Sequence, residues 1–164
     1  VKKKIVEALA TGFYLGKAPF MPGTFGTLLG LPTVWLLSRI SSTGYLAASF
    51  ILLLLSVGIA ELYEIQNGSH DPKEVVIDEV VGYVISMTLL PQTWQAYLAA
   101  FLIFRFFDIL KPYPISYLDR NIRGGLGTVL DDVAAGLVTN IILQVVLVQT
   151  TWLGTRLMHG EIQF

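Results

Sequence analysis

Cysteine is absent from this 164-residue chain. That excludes a disulfide framework, a thiolate nucleophile and any cysteine-bound metal. Charge is scarce as well: Asp, Glu, Lys and Arg make up 14% of residues, against about 25% in an average soluble domain. The net charge of −1 leaves no basic surface of the kind that binds nucleic acid. There is no low-complexity tract, no repeat of fixed period and no Gly/Ser/Pro linker, so the sequence reads as one domain over 1–164. Lys2, Lys3 and Lys4 resemble the start of a signal peptide, but Glu7 interrupts the apolar stretch behind them and no cleaved signal is expected.

What fills the chain instead is apolar. Residues 18–38, 40–60, 80–104 and 133–155 contain no charge, and each run is as long as the roughly 20 residues a helix needs to cross a bilayer. The expected fold is all-α, a membrane bundle of about five apolar helices with a short N-terminal interfacial helix. Its spans are predicted over 25–38, 45–65, 75–90, 94–110 and 129–153. A helix over 5–15 lies within the interfacial segment 1–16, and 154–164 forms a tail. Pro91 and the Pro112-Tyr113-Pro114 segment mark two helix ends, because proline disfavours helix in the residue before it.

Antiparallel crossings carry the polar residues to one end of this bundle. Lys2, Lys3, Lys4, Lys17, Lys73, Arg105, Lys111, Arg120 and Arg123 fall on that side, against Arg39 and Arg156 on the other. This bias makes the polar end cytoplasmic. The acids gather there too. Asp78 and Glu79 stand at the start of one helix and Asp131 and Asp132 at the start of another. Adjacent helical residues point about 100° apart, so the two acids of a pair cannot both face one neighbour squarely. Arg105, Asp108 and Lys111 lie three apart and share a face. Two turns, Gly23 to Thr27 and Gly124 to Thr128, open helices, and helix N-termini favour anions. Asp132, Gly136, Asn140 and Gln144 form an i, i+4 stripe expected to face the bundle interior. His70 is a loop residue with a candidate role; His159 lies in the tail.

Carboxylates beside cations, with no cysteine, suit a hard divalent cation acting on a phosphate ester. The segments Pro22 to Thr27, His70-Asp71 through Asp78-Glu79, Phe104 to Pro114, Asp119-Arg120-Asn121, Gly124 to Gly127 and Asp131 to Gly136 together resemble the phosphatidylglycerophosphatase A family, over about residues 10–145. The resemblance implies a Mg²⁺-dependent phosphatase of the bacterial inner membrane. It would convert phosphatidylglycerophosphate to phosphatidylglycerol in phospholipid synthesis, with its active site on the cytoplasmic face. The residues expected to hold Mg²⁺ are Glu79, Asp131 and Asp78. Asp108, Asp132 and Asp78 are the catalytic candidates, with Asp108 or Asp132 orienting water. Arg105, Lys111, Arg120, Arg123, Thr24, Thr27 and His70 are expected to gather the substrate. Two rivals remain: a CDP-alcohol phosphotransferase, whose Gly/Ala/Arg frame is missing here, and a non-catalytic membrane subunit or ion pathway, which would spread its acids through the membrane depth.

Overall fold

The structure, a computed structural model, describes residues 2–69 and 72–154. Among them there are helices and no strands: α1 (Lys2–Ala10), a short 3-10 turn (Leu15–Lys17), α2 (Pro22–Leu37), α3 (Ser42–Asn67), α4 (Ile77–Ser86), α5 (Trp94–Leu110), α6 (Ile115–Asn121) and α7 (Gly124–Gln149). The all-α expectation holds; the helix count and several boundaries differ. α6 falls in what the sequence presents as a polar connection. It is a seven-residue helix, too short to show a period. α7 begins at Gly124, earlier than the predicted 129, where Glu61 of α3 accepts from the Gly125 amide.

Among the described residues two helices, α3 and α7, are long and apolar enough to cross a membrane. At 1.5 Å per residue, 26 residues reach about 39 Å. Most of α3 faces outward, with Phe50, Ile51, Leu54 and Leu55 all exposed. Water would oppose such an apolar surface and a bilayer would accept it. The core lies between α4, α5 and α7, where Tyr83, Phe104, Met87 and Leu143 are buried.

α4 packs most extensively on α7, and two glycines permit it. A Cβ on Gly136 would lie 2.3 Å from the Gly82 carbonyl oxygen, and one on Gly82 would lie 2.7 Å from that of Asp132. Only hydrogen atoms fit where these backbones cross.

α4 is shorter than the predicted 75–90, although the sequence stays apolar to Leu90. Its end is fixed from α7. The Asn140 amide donates to the carbonyls of Ser86 (3.0 Å) and Thr88 (2.7 Å), and the Gln144 amide donates to Thr88 (3.1 Å) and Leu89 (3.3 Å). The interior stripe on α7 therefore supplies the donors that the last carbonyls of α4 lack. Asn140→Leu is expected to leave the Ser86 carbonyl without that donor, while Gln144 still holds Thr88, and to lower stability by about 1–3 kcal/mol. Thermal unfolding in detergent checks this; an unchanged midpoint would show that the amide contributes nothing.

Candidate active site

The first turn of α4, the last turns of α5 and the third turn of α7 meet at one end of the bundle. One carboxylate oxygen each from Asp78, Glu79 and Asp132 lies within 4.8 Å of the others. Asp78 and Asp132 are buried and Glu79 nearly so. The Arg105 guanidinium joins them from α5, with Nη1 4.0 Å from Glu79 Oε1 and bonded to Asp108 one turn along its own helix. The carboxyls of Asp108 and Asp132 also interact. Gly23, at the start of α2, closes the side: a Cβ there would lie 2.3 Å from Glu79 Oε1 and 2.8 Å from Arg105 Nη1.

This cluster is electrostatically incomplete. Burial pushes the Asp78 carboxyl well up, with the Glu79 charge adding to it. Burial also pushes Glu79 up to about 8, the hydrogen bond with Asp78 opposing and Asp132 and Asp108 reinforcing. α4 lies outside the two candidate spans, yet its acids are withdrawn from water. Two atoms are left without hydrogen-bond partners: the acceptor Glu79 Oε2 and the donor Arg105 Nε, both buried. A buried carboxylate set made only of oxygen, with an open acceptor, fits a hard divalent cation. An open guanidinium donor beside it fits an anion.

The structure brings Asp132 to this cluster where the sequence reading had Asp131. Asp131, about 100° around α7, is bonded to Lys111, which also holds Asp119 of α6 at 2.6 Å. Burial pulls the Lys111 ammonium down, but the two carboxylates outweigh it and hold the group above the usual lysine range. Lys111 thus spends its charge tying α5 to α6 and α7. Lys111→Met is expected to cost about 1–3 kcal/mol, because it takes the ammonium away from the buried Asp131 carboxylate, and the thermal midpoint is expected to recover in the Lys111→Met, Asp131→Asn double variant. No recovery would remove Asp131 as its partner.

The family model for phosphatidylglycerophosphatase A matches residues 8–147. The chain belongs to the phosphatidylglycerophosphatase A family. A phosphatidylglycerophosphatase A from Escherichia coli K12 is 36% identical over 136 residues, covering 82% of this chain and 79% of the relative. The protein of the same name from Haemophilus influenzae is 39% identical over 140 residues, covering 84% and 86%. A Bacteroides thetaiotaomicron protein, provisionally named a phosphatidylinositol-3-phosphatase, is 35% identical over 145 residues, covering 84% and 90%. No solved structure matches the chain.

The other described candidates of this phosphatidylglycerophosphatase A family member differ in exposure. Arg120 lies in the last turn of α6 and Arg123 immediately precedes α7; both are exposed. Thr24 is half-buried beside Gly23. Thr27 is fully buried, and its hydroxyl donates to the Gly23 carbonyl at 2.9 Å, so it serves the helix and not the surface. His70 and His159 lie outside the described residues.

The second glycine turn holds an anion that the sequence reading missed. Glu61, from α3, accepts from the Gly125 amide at 2.5 Å, and Glu64 accepts from the Thr128 hydroxyl. A side chain on Gly125 would collide with the Val57 carbonyl at 2.3 Å, which is how closely α3 and α7 approach. One sequence signal was available. Two acids in the last turns of a helix oppose its dipole, so Glu61 and Glu64 called for a donor elsewhere.

Proposed function

We propose that this chain hydrolyses phosphatidylglycerophosphate to phosphatidylglycerol and inorganic phosphate, using Mg²⁺ held by Asp78, Glu79 and Asp132, at the cytoplasmic face of the bacterial inner membrane. The observation that carries the reading is that Glu79 and Arg105, whose side chains approach to 4.0 Å, each keep one buried atom without a hydrogen-bond partner. Glu79 Oε2 needs a cation and Arg105 Nε needs an anion, within one buried cluster. A metal-bound phosphate monoester supplies both. Family membership supports the substrate, and α3 and α7 support the membrane setting.

Bound Mg²⁺ would neutralise phosphate charge and make water a better nucleophile. The side chains do the rest. Arg105 holds a phosphate oxygen through Nε and, through its bond to Asp108, fixes that carboxylate at the edge of the cluster. Asp108 takes a proton from the attacking water, whose oxygen bonds to phosphorus. The bond from phosphorus to the glycerol oxygen breaks, its electron pair leaves with that oxygen, and a proton from solvent, balanced by the one Asp108 later releases, completes the alcohol of phosphatidylglycerol. Arg120 and Arg123, exposed at the approach, attract the anionic headgroup.

The test is phosphate release by detergent-purified protein. Phosphatidylglycerophosphate is expected to be hydrolysed with added Mg²⁺ and spared in excess chelator, and phosphatidylinositol-3-phosphate should be cleaved more slowly. Full activity in chelator, or preference for the inositol lipid, would overturn the assignment.

A further inference from the structure

Between α1 and α2 the chain turns its largest apolar side chains outward at the polar end of the molecule. Phe13 is 73% exposed, Phe20 80% and Met21 64%. None of them sits on a candidate span, so crossing helices do not explain them. Phe13, Tyr14 and Met21 also have positive φ, at 57°, 71° and 50°, a conformation that costs an L-residue roughly 1–2 kcal/mol. Such strain, concentrated in one segment, persists where surrounding structure imposes it.

The opposite face of the segment is clamped. A Cβ on Gly12 would lie 2.5 Å from Leu29 Cδ1, and one on Gly16 would lie 2.1 Å from the Glu74 carbonyl oxygen. The Val76 amide donates to the Ala10 carbonyl at 2.9 Å. Lys17 is bonded to Glu7 and lies 4.0 Å from Glu74. Residues 74–76 lead directly into the site helix α4, and Met21 is two residues before Gly23, the wall of the carboxylate cluster. The outward side chains are therefore held rigidly beside the active site.

We propose that residues 13–21 seat this end of the molecule in an anionic bilayer surface, and that attack on a bilayer-held lipid depends on the seating while the chemical step does not. The proposal rests on the preceding reading that the substrate is a lipid phosphate. Two features choose lipid as the occupant. Exposed Lys3 and Lys4 stand on α1, the helix that leads into the segment, and a basic helix joined to exposed Phe and Leu is the pattern that enters an anionic interface. The crossing length of α3 and α7 brings a bilayer boundary to the helix ends where the segment lies.

The lack of cysteine makes a single-site label straightforward. Phe20→Cys carrying a nitrobenzoxadiazole fluorophore, reconstituted in vesicles of equal phosphatidylglycerol and phosphatidylethanolamine, is expected to lose about half its emission or more when the acyl chains are brominated. The same label at Lys73→Cys, exposed in the polar loop before α4, is expected to be unaffected. The Phe13→Ser, Phe20→Ser double variant is expected to hydrolyse vesicle-held phosphatidylglycerophosphate about tenfold more slowly. On a water-soluble short-chain analogue it is expected to stay within about twofold of the wild type. An equal loss on both substrates, no loss on vesicles, or a label at position 20 that brominated chains do not quench would overturn the proposal. A shielded but unquenched label would point to a second copy or another protein as the occupant and overturn it too. Wild-type protein inactive on both substrates would contradict the assigned reaction, with the quenching result still deciding the seating.

Discussion

Asp132→Asn is expected to lower phosphate release by about a thousandfold or more at saturating Mg²⁺, with helix content and thermal midpoint close to wild type. Asparagine keeps the shape of aspartate and removes the charge a cation requires. Asp132 shares the three-oxygen cluster with Asp78 and Glu79 and also interacts with Asp108, so its loss removes a proposed metal ligand and unsettles the proposed base together. The neighbouring Asp131→Asn is expected to behave differently. Its carboxylate is engaged by Lys111, so activity should fall by about tenfold or less while stability falls measurably. Comparing initial rates and unfolding midpoints for the two variants separates the roles. Equal losses of activity would contradict the division of labour between the paired aspartates.

Gly136→Val is expected to be nearly as damaging, by a different route. The added side chain would meet the Gly82 carbonyl at 2.3 Å, and backbone cannot move aside as a flexible side-chain tip can. α4 and α7 must separate, at a cost of about 1–3 kcal/mol from overpacking. Asp78 and Glu79 ride on α4 and Asp132 on α7, so separation also opens the carboxylate cluster. Phosphate release should drop by about a hundredfold or more, with the Mg²⁺ needed for half-maximal activity rising, since misplacement near 1 Å already costs about this much. Titrating Mg²⁺ against rate checks it. A loss of rate with unchanged Mg²⁺ dependence would mean that the helix crossing does not set the metal site.

These expectations show which parts of the molecule a sequence can express. Charge-free runs and the gathering of acids and cations at one end are properties of composition and order. They gave the all-α class, and they anticipated the acids Asp78, Glu79 and Asp132 and the cation Arg105 that the structure brings together. Helix rotation is not such a property. Asp131 and Asp132 are chemically identical neighbours, and which one faces α4 depends on the close approach at Gly82 and Gly136. Helix ends set by distant partners were equally hidden. The end of α4 depends on amides at 140 and 144, and the start of α7 is anchored by Glu61 of α3. Lys111 illustrates the same limit: its spacing from Arg105 suggested a phosphate ligand, but the fold places two carboxylates on its ammonium first.

The most direct test of the carboxylate cluster as a metal centre is Mn²⁺ binding to detergent-purified protein, followed by the electron paramagnetic resonance of the free ion without substrate. Wild type and Asp131→Asn are expected to take up Mn²⁺ with similar affinity. Glu79→Gln and Asp132→Asn are expected to weaken uptake by about a hundredfold or more, as a cation losing one of three anionic ligands should. Wild-type affinity in Asp132→Asn, or loss of binding in Asp131→Asn alone, would contradict the assignment of Asp78, Glu79 and Asp132 as the metal-holding set.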